Sequence, residues 1–187
     1  MKNIDVKNYI QNLENALKQE EPLELIPNLA KRIFLTWRER KKIFICGNGG
    51  SAANANHIAN DFIFGARIKN KGFNIESLSS NEAVITCIAN DTGYENIYAY
   101  QLNAKACKDD ILIVLSGSGN SKNILEAIDS AKKIGMETFA ILGFNGGQCK
   151  KIVDNAIHFN VNDMQISEDL QLIVFHMCMQ WIASQND

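Results

Sequence analysis

The feature that most constrains this chain is one plan that occurs twice: an apolar strand, a short Gly/Ser-rich loop, then a helix. The first loop (residues 47–51) reads Gly-Asn-Gly-Gly-Ser after the strand 42–46, and the second loop (residues 116–121) reads Ser-Gly-Ser-Gly-Asn-Ser after the strand 111–115. Such loops direct backbone N–H groups and hydroxyls to a point before a helix N-terminus, which favours an anion, most often a phosphate. Two of them predict a phosphorylated ligand at the carboxyl ends of a parallel sheet.

The rest of the chain alternates between strand and helix patterns. We predict strands near 42–46, 73–78, 110–115, 137–142 and 155–160, and helices near 51–64, 81–89, 94–106, 120–134 and 163–184. Two further helices precede the first strand, one over residues 5–18 and one that begins near Pro27. This order predicts an α/β fold with a five-stranded parallel sheet flanked by helices, built as one domain over residues 1–187.

The composition of the chain indicates which binding partners to expect and in which cell compartment the protein acts. The net charge is -2 over 187 residues, which gives no electrostatic reason to expect nucleic acid or an anionic membrane. The N-terminus has no secretory pattern and no apolar run is long enough to span a bilayer, so we expect a cytoplasmic protein. The five cysteines are odd in number and widely spaced, which favours reduced thiols over disulfides or a thiolate zinc site.

Two helices suggest that the chain associates with copies of itself. The last helix is apolar around nearly its whole circumference, which predicts burial on every side and therefore a homo-oligomer with this helix near the interface. The first helix carries one narrow apolar stripe of Val6, Ile10, Leu13 and Leu17 that suits packing against another subunit. We therefore expect residues 1–40 to serve oligomerisation.

Histidines and carboxylates near the first loop are the candidate chemical groups. His57 and Asp61 lie four residues apart on one helix face, a spacing at which they can share a metal or a proton, or form a solvated pair. His176 lies on the last helix, and Glu168 lies eight residues earlier, about 12 Å along the axis. Their side chains can only just meet at one ion, unless a neighbouring subunit supplies one of them. His158, in a predicted strand, is interpreted as structural.

The first loop also has two competing interpretations. Residues 47–52 match the dinucleotide fingerprint GxGxxG/A, and Glu76 lies where a ribose-binding carboxylate would belong. A dinucleotide fold needs a single Gly-rich turn, however, and has no use for the Ser-rich second loop. The other interpretation is that both loops are merely tight turns, but they are more polar than turn geometry requires.

Taken together, these motifs resemble the phosphoheptose isomerases (sedoheptulose 7-phosphate isomerases) of the SIS superfamily. The resemblance covers almost the full length and rests on both loops, His57, the stretch 88–91 and the final helix with His176. It implies a flavodoxin-like sheet and a homotetramer with active sites between subunits. It also implies interconversion of D-sedoheptulose 7-phosphate and D-glycero-D-manno-heptose 7-phosphate, to supply heptose for lipopolysaccharide or capsule.

The resemblance also implies roles for individual residues. Asp61 would be the base of an enediol mechanism and His176 its acid/base partner. A Zn²⁺ ion, one per subunit, would be held by His57, Asp61, Glu168 and His176, although Asp61 cannot readily be both a tight ligand and a free base. The substrate would be bound by Asn48, Gly49, Gly50, Ser51, Asn90, Asp91, Ser116, Gly117, Ser118, Ser121 and Glu168.

The chain departs from the family pattern at four places. It has Asp61 where the family has Glu, Glu168 where it has Gln and Gly117 where it has Thr, and the family's arginine is matched only by a displaced Arg67. An acid at 168 should strengthen the binding of a divalent cation. Two alternatives remain: a non-enzymatic regulator of the DiaA type that binds the replication initiator and lacks the histidine of the last helix, or an isomerase of another ketose phosphate.

Overall fold

Two helices lead into the sheet. The computed structural model describes residues 5–66, 68 and 71–186, and Arg67 lies outside them. Helix α1 (Val6–Leu17) begins after Asp5, whose carboxylate accepts a hydrogen bond from the Asn8 amide at 3.0 Å. Helix α2 (Glu20–Arg38) begins seven residues before the predicted start at Pro27, which was wrong. Pro22 occupies its first turn, where a missing N–H costs no hydrogen bond, while Pro27 lies exposed within the helix.

The described residues form a five-stranded parallel sheet, as predicted. Its strands are β1 (Ile43–Gly47), β2 (Ile75–Ser77), β3 (Ile111–Ser116), β4 (Glu137–Leu142) and β5 (Asn155–His158). Their spatial order is β2-β1-β3-β4-β5, and every pairing is parallel. This is the flavodoxin-like order. Strands β1 and β3 are buried along their whole length, which explains why both are apolar runs rather than alternating sequences.

Helices connect the strands, and a last helix follows β5. They are α3 (Gly50–Asn60), α4 (Glu82–Thr92), α5 (Ala99–Lys105), α6 (Lys122–Ile134), the short α7 (Cys149–Ile152) and α8 (Met164–Ala183). The helix predicted over 94–106 is divided into a 3₁₀ turn at Tyr94–Asn96 and α5. The helix predicted over 51–64 ends as an α-helix at Asn60 and continues as a π-helical turn over Asp61–Gly65.

The sheet is covered on both faces by apolar clusters. Ile43 and Ile45 of β1 point into a cluster with α2, α3 and α8, whereas Phe44 and Cys46 point into a second cluster with α5 and α6. This period of two is the geometry of a strand buried on both faces. Full burial of one such side chain contributes about 1.5–3 kcal/mol. Among residues 5–66, 68 and 71–186, we find no helix that combines the length and apolar character needed to cross a bilayer.

Candidate functional site

Both loops begin side by side at one edge of the sheet. The chain leaves β1 toward β2 on one side and leaves β3 toward β4 on the other, so the order reverses between β1 and β3. Gly47 pairs with Leu115, which places the two loop starts next to each other. Ligands of open α/β sheets bind in the crevice at such a switch point. The two loops therefore begin next to each other within one chain, as predicted from the sequence.

The second loop is closed by its own hydroxyls and by the loop after β4. The Ser116 hydroxyl accepts a hydrogen bond from the Gly119 amide at 3.0 Å, and the Ser118 hydroxyl accepts one from the Asn120 amide at 3.3 Å. Gly119 has φ +65° and a Cβ there would overlap the Gly146 carbonyl, so only glycine fits. Ser121 is the N-cap residue of α6 but makes no side-chain capping bond, which leaves its hydroxyl available to a ligand.

A buried phenol supports the first loop from below. Tyr98 is 2% exposed, and its hydroxyl donates a hydrogen bond to the Gly47 carbonyl. The Ser79 hydroxyl lies 3.1 Å from the same phenol oxygen. Burial raises the pKa of Tyr98, so the phenol stays protonated and remains a donor. Tyr98 was not predicted from the sequence, because a tyrosine between two short helical segments has no pattern that distinguishes it from a core residue.

Three candidate residues converge where α3 meets α8. The Nε2 atom of His57 lies 3.3 Å from the Oδ2 atom of Asp61, and the Nε2 atom of His176 lies 3.6 Å from that same oxygen. The two imidazole centroids are 5.9 Å apart. The possible ligand atoms of the three residues all lie within 4.8 Å of one another. We call His57, Asp61 and His176 the three-residue cluster.

The cluster depends on polar contacts that hold α8 in register with α3. Gln171 is 1% exposed; its amide nitrogen donates to the Ser51 hydroxyl at 3.0 Å and its oxygen accepts from Asn54 at 2.9 Å. Asn54 also donates to the backbone carbonyl of Glu168 at 3.0 Å. A buried amide left without partners costs about 1–3 kcal/mol, so these bonds disfavour any sliding of the helices. Gln171 and Asn54 were also not predicted as site residues from the sequence.

A π-helical turn begins at Asp61 itself. The Ala66 amide donates to the Asp61 carbonyl at 2.8 Å, five residues apart. After the turn the Phe73 amide donates to the Phe62 carbonyl at 3.1 Å, and a Cβ on Gly72 would overlap the Ile63 carbonyl oxygen. Such turns are frequently found at functional sites. Asp61 is thus presented at the point where α3 widens.

Comparison with known proteins agrees with this geometry. The SIS domain family model matches residues 7–143. A phosphoheptose isomerase of Helicobacter pylori strain P12 is 36% identical over 172 residues, covering 91% of this chain and 90% of the relative. One from Clostridium acetobutylicum is 34% identical over 172 residues, covering 92% and 88%. The structure of a phosphoheptose isomerase from Francisella tularensis matches with a TM-score of 0.85 at 25% identity, over 96% of both chains.

This chain belongs to the phosphoheptose isomerase family. The resemblance seen in the sequence is confirmed, and so is the SIS fold. The chain is accordingly placed among the isomerases.

Glu168 does not join the three-residue cluster within one chain. Its carboxylate lies over Gly50, at the N-terminus of α3, where a Cβ on Gly50 would overlap it. The four-ligand arrangement predicted from the sequence is therefore assembled only in part, because eight residues of helix separate Glu168 from His176 by about 12 Å. The positive end of the α3 dipole stabilises a carboxylate at this place. The first loop thus already faces a negative charge.

Asn90 and Asp91, two further predicted substrate residues, lie on α4. They are exposed near the end of α4, and the Asn90 amide donates to the Asp91 carboxylate at 2.8 Å. In the part of the chain that the structure describes, no hydrogen bond joins them to either loop. Within one chain, the hydrogen bonds of the described residues therefore do not tie these two family positions to the loops.

Gly117 and His158 have local structural explanations. A Cβ on Gly117 would approach the sulfur of Met164 to 2.6 Å, so the absence of a side chain here makes room for the first residue of α8. The His158 Nε2 atom lies 3.0 Å from the Phe144 carbonyl, and its Nδ1 atom lies 3.0 Å from the Lys150 ammonium. His158 therefore has partners of its own on the loop after β4.

Proposed function

We propose that this chain interconverts D-sedoheptulose 7-phosphate and D-glycero-D-manno-heptose 7-phosphate through an enediol or enediolate. One observation carries the proposal: His57 on the helix that follows the first loop, Asp61 just after that helix and His176 on α8 come together in a chain of the phosphoheptose isomerase family. The cluster supplies groups that exchange protons, and the loops supply donors for an anion. The heptose product would serve surface glycans, either lipopolysaccharide or capsule.

The proton transfers are assigned to Asp61 and His176. Asp61 takes the proton from the carbon beside the carbonyl and returns it to the neighbouring carbon, so the C–H lost at one carbon is regained at the next. His176 moves the accompanying proton between the two oxygens of the enediol. Imidazole suits this role because its two ring nitrogens can donate and accept a proton. The 3.6 Å between His176 Nε2 and Asp61 Oδ2 supports the view that both groups reach one substrate.

The three-residue cluster also fits a Zn²⁺ ion by its donor chemistry. Two imidazole nitrogens and one carboxylate oxygen are a ligand set of catalytic zinc sites, which keep a further position open. Bound there, Zn²⁺ would polarise the substrate carbonyl and stabilise the negative charge of the enediolate. Because Asp61 is assigned here as base, its role as ligand is the competing assignment. Full activity after chelation would remove the ligand role.

The phosphate is assigned to the second loop. Ser118 lies in this loop, Ser121 is the N-cap residue of α6 with a hydroxyl that makes no capping bond, and Lys122 begins that helix, whose N-terminus favours an anion. At the first loop the Glu168 carboxylate would repel a phosphate dianion. Glu168 is therefore better suited to accept hydrogen bonds from sugar hydroxyls. The two loops therefore have different roles in this proposal: the second loop binds the phosphate, and Glu168 at the first loop binds sugar hydroxyls.

We also propose a homotetramer with active sites between subunits. The apolar side chains of Val6 and Ile10 on α1 are 53% and 50% exposed, and Trp181 of α8 is 39% exposed. Helix α4 buries none of its residues in the single chain. Cover from another subunit would bury these surfaces and bring Asn90 and Asp91 to a neighbouring pocket. Light scattering on the purified protein measures the assembly directly.

The decisive assay is NMR of a panel of ketose phosphates, followed with and without added zinc after chelation. We expect the doublet of a heptose 7-phosphate anomeric proton to grow only with sedoheptulose 7-phosphate. If the protein converts a hexulose phosphate instead, the proposed reaction class is retained and only the proposed substrate is wrong. A tetramer that converts no sugar phosphate under any metal condition would contradict the proposal and favour a regulatory role.

A further inference from the structure

A pair of carboxamides joins the two loops across the switch point. The Asn48 amide nitrogen donates to the Asn123 Oδ1 atom at 2.9 Å, and the Asn123 amide nitrogen donates to the Asn48 Oδ1 atom at 2.8 Å. Asn48 belongs to the first loop, and Asn123 is the second residue of α6, just after the second loop. We propose that Asn123 is a positioning residue that fixes the Asn48 carboxamide as a hydrogen-bond donor to the ligand. The identity of that ligand rests on the proposed function.

Both polar atoms of the Asn123 side chain are hydrogen-bonded to Asn48. Asn123 is 2% exposed, and in the described part of the chain its carboxamide makes no other hydrogen bond. A buried carboxamide needs partners, because an unpaired one costs about 1–3 kcal/mol. Asn48 is therefore the group that satisfies Asn123, and Asn123 holds Asn48 in return.

The pair leaves Asn48 with one kind of free group. Its Oδ1 atom accepts from Asn123 and also from the Tyr94 hydroxyl at 3.0 Å, and the Tyr98 hydroxyl lies a further 3.4 Å away, so both acceptor positions of that oxygen are used. Its nitrogen carries two hydrogens and gives one to Asn123. The remaining N–H is a donor, which suits the oxygen atoms of a hydroxyl or a phosphate. A carboxamide free to rotate would present oxygen about as often, and oxygen repels those ligand atoms.

The pair also couples the two loops to each other. A shift of the first loop moves Asn48, and the bonded Asn123 transmits it to the first turn of α6. The hydroxyl of Ser121 lies two residues before Asn123, at the start of the same helix. Loss of Asn123 should therefore weaken substrate binding more than it slows the proton transfers at the three-residue cluster.

A double-mutant cycle tests this role. Asn48→Ala, Asn123→Ala, the double variant and the wild type are compared by KM and kcat with sedoheptulose 7-phosphate, and by Kd from calorimetry. We expect Asn123→Ala to raise KM about tenfold, the loss of about one hydrogen bond, with kcat within about twofold. The double variant should be no worse than Asn48→Ala, because Asn123 acts only through Asn48.

A matched control separates positioning from stability. Ser130→Ala lies two turns further along α6 and removes a buried hydroxyl that donates to Asn103 at 2.9 Å. We expect it to lower the melting temperature and leave KM unchanged. If Asn123→Ala does not fold, the isosteric Asn123→Asp replaces it, since its carboxylate would face the Asn48 oxygen and should raise KM as well.

Several results would overturn the proposal. They are an unchanged KM in Asn123→Ala or Asn123→Asp, independent effects that multiply in the double variant, and a kcat that falls as much as KM rises. A wild-type protein that binds the sugar phosphate without converting it contradicts the proposed function alone, and the cycle is then read on Kd. A wild-type protein that does not bind it contradicts both.

Discussion

The Nε2 atom of His176 lies 3.6 Å from the Oδ2 atom of Asp61, although His176 lies on α8 and Asp61 directly follows α3. His176→Asn keeps the size of the group and removes its proton exchange. We expect kcat to fall by about 10²-fold or more, the usual contribution of a general acid–base group. The fold should persist, because the imidazole is half exposed. Gln180→Ala, one turn further along α8 and also exposed, is the control and should stay active.

Zinc affinity should depend on the three-residue cluster and not on Glu168. We expect His57→Ala to weaken Zn²⁺ binding by about tenfold or more, measured by calorimetry on protein from which metal has been removed with a chelator. Glu168→Gln should leave it within about threefold, because this carboxylate lies over Gly50 rather than in the cluster. A large loss in Glu168→Gln would mean that the side chain swings into the site or that a second subunit presents it.

The second loop should govern affinity for the phosphate end. Ser118→Ala combined with Ser121→Ala removes two hydroxyls beside the start of α6, and we expect KM to rise about tenfold or more. Inorganic phosphate should inhibit the double variant less than the wild type. Ser184→Ala, near the C-terminus, provides the control. Kinetics identical to those of the wild type would reject the phosphate assignment.

Acid should remove a contribution of Asp154 to stability. Partial burial opposes ionisation of this carboxyl, but hydrogen bonds from the Thr138 hydroxyl and amide and the charge of Lys132 outweigh it, so its pKa lies below the ordinary 3.8. A lowered pKa in the folded state stabilises the protein above the unfolded value, and this stabilisation disappears as the pH falls through the folded value.

Asp154→Asn should therefore be less stable than the wild type at neutral pH, and the difference should shrink below about pH 4. Denaturant melts at several pH values measure it. A difference that is constant down to pH 2 would show that the ionised carboxylate contributes nothing specific.

Thiol labelling should divide the cysteines into two groups. Cys46, Cys149 and Cys178 are buried, and burial raises the pKa of Cys149 to about 11 and of Cys178 to about 12, while Cys87 and Cys107 are exposed. Since the thiolate is the reactive form, we expect mass spectrometry to find alkylation at Cys87 or Cys107 first, and at the other three only after unfolding. Rapid labelling of Cys178 would indicate that α8 opens in solution.

The parts of the fold that the sequence predicted are those with a strong local pattern. The strands β1 and β3 are continuous apolar runs between turns, and both were placed within one or two residues. The start of α2 was wrong because two prolines compete for the first turn, and only the packing of Pro22 decides between them. The widened turn at Asp61–Gly65 leaves no mark in a hydrophobic pattern.

The candidate site was predictable where residues follow each other along one helix. His57 and Asp61 are four residues apart, so helical geometry alone brings them together. The approach of His176 was proposed on family resemblance, since no local pattern relates α8 to α3. Gln171, Tyr98 and Asn123 were missed because each acts through a partner distant in sequence, and burial is what makes those contacts costly to lose.

The π-helical turn at Asp61–Gly65 has a consequence for chains of different length. A single residue turns an α-helix by about 100°. In a relative with one residue fewer in this turn, the chain would leave the helix in another direction. The amide that corresponds to Phe73 could then no longer reach the carbonyl that corresponds to Phe62. An insertion or deletion in this stretch must therefore be compensated before β2. Otherwise the edge strand β2 would no longer pair with β1.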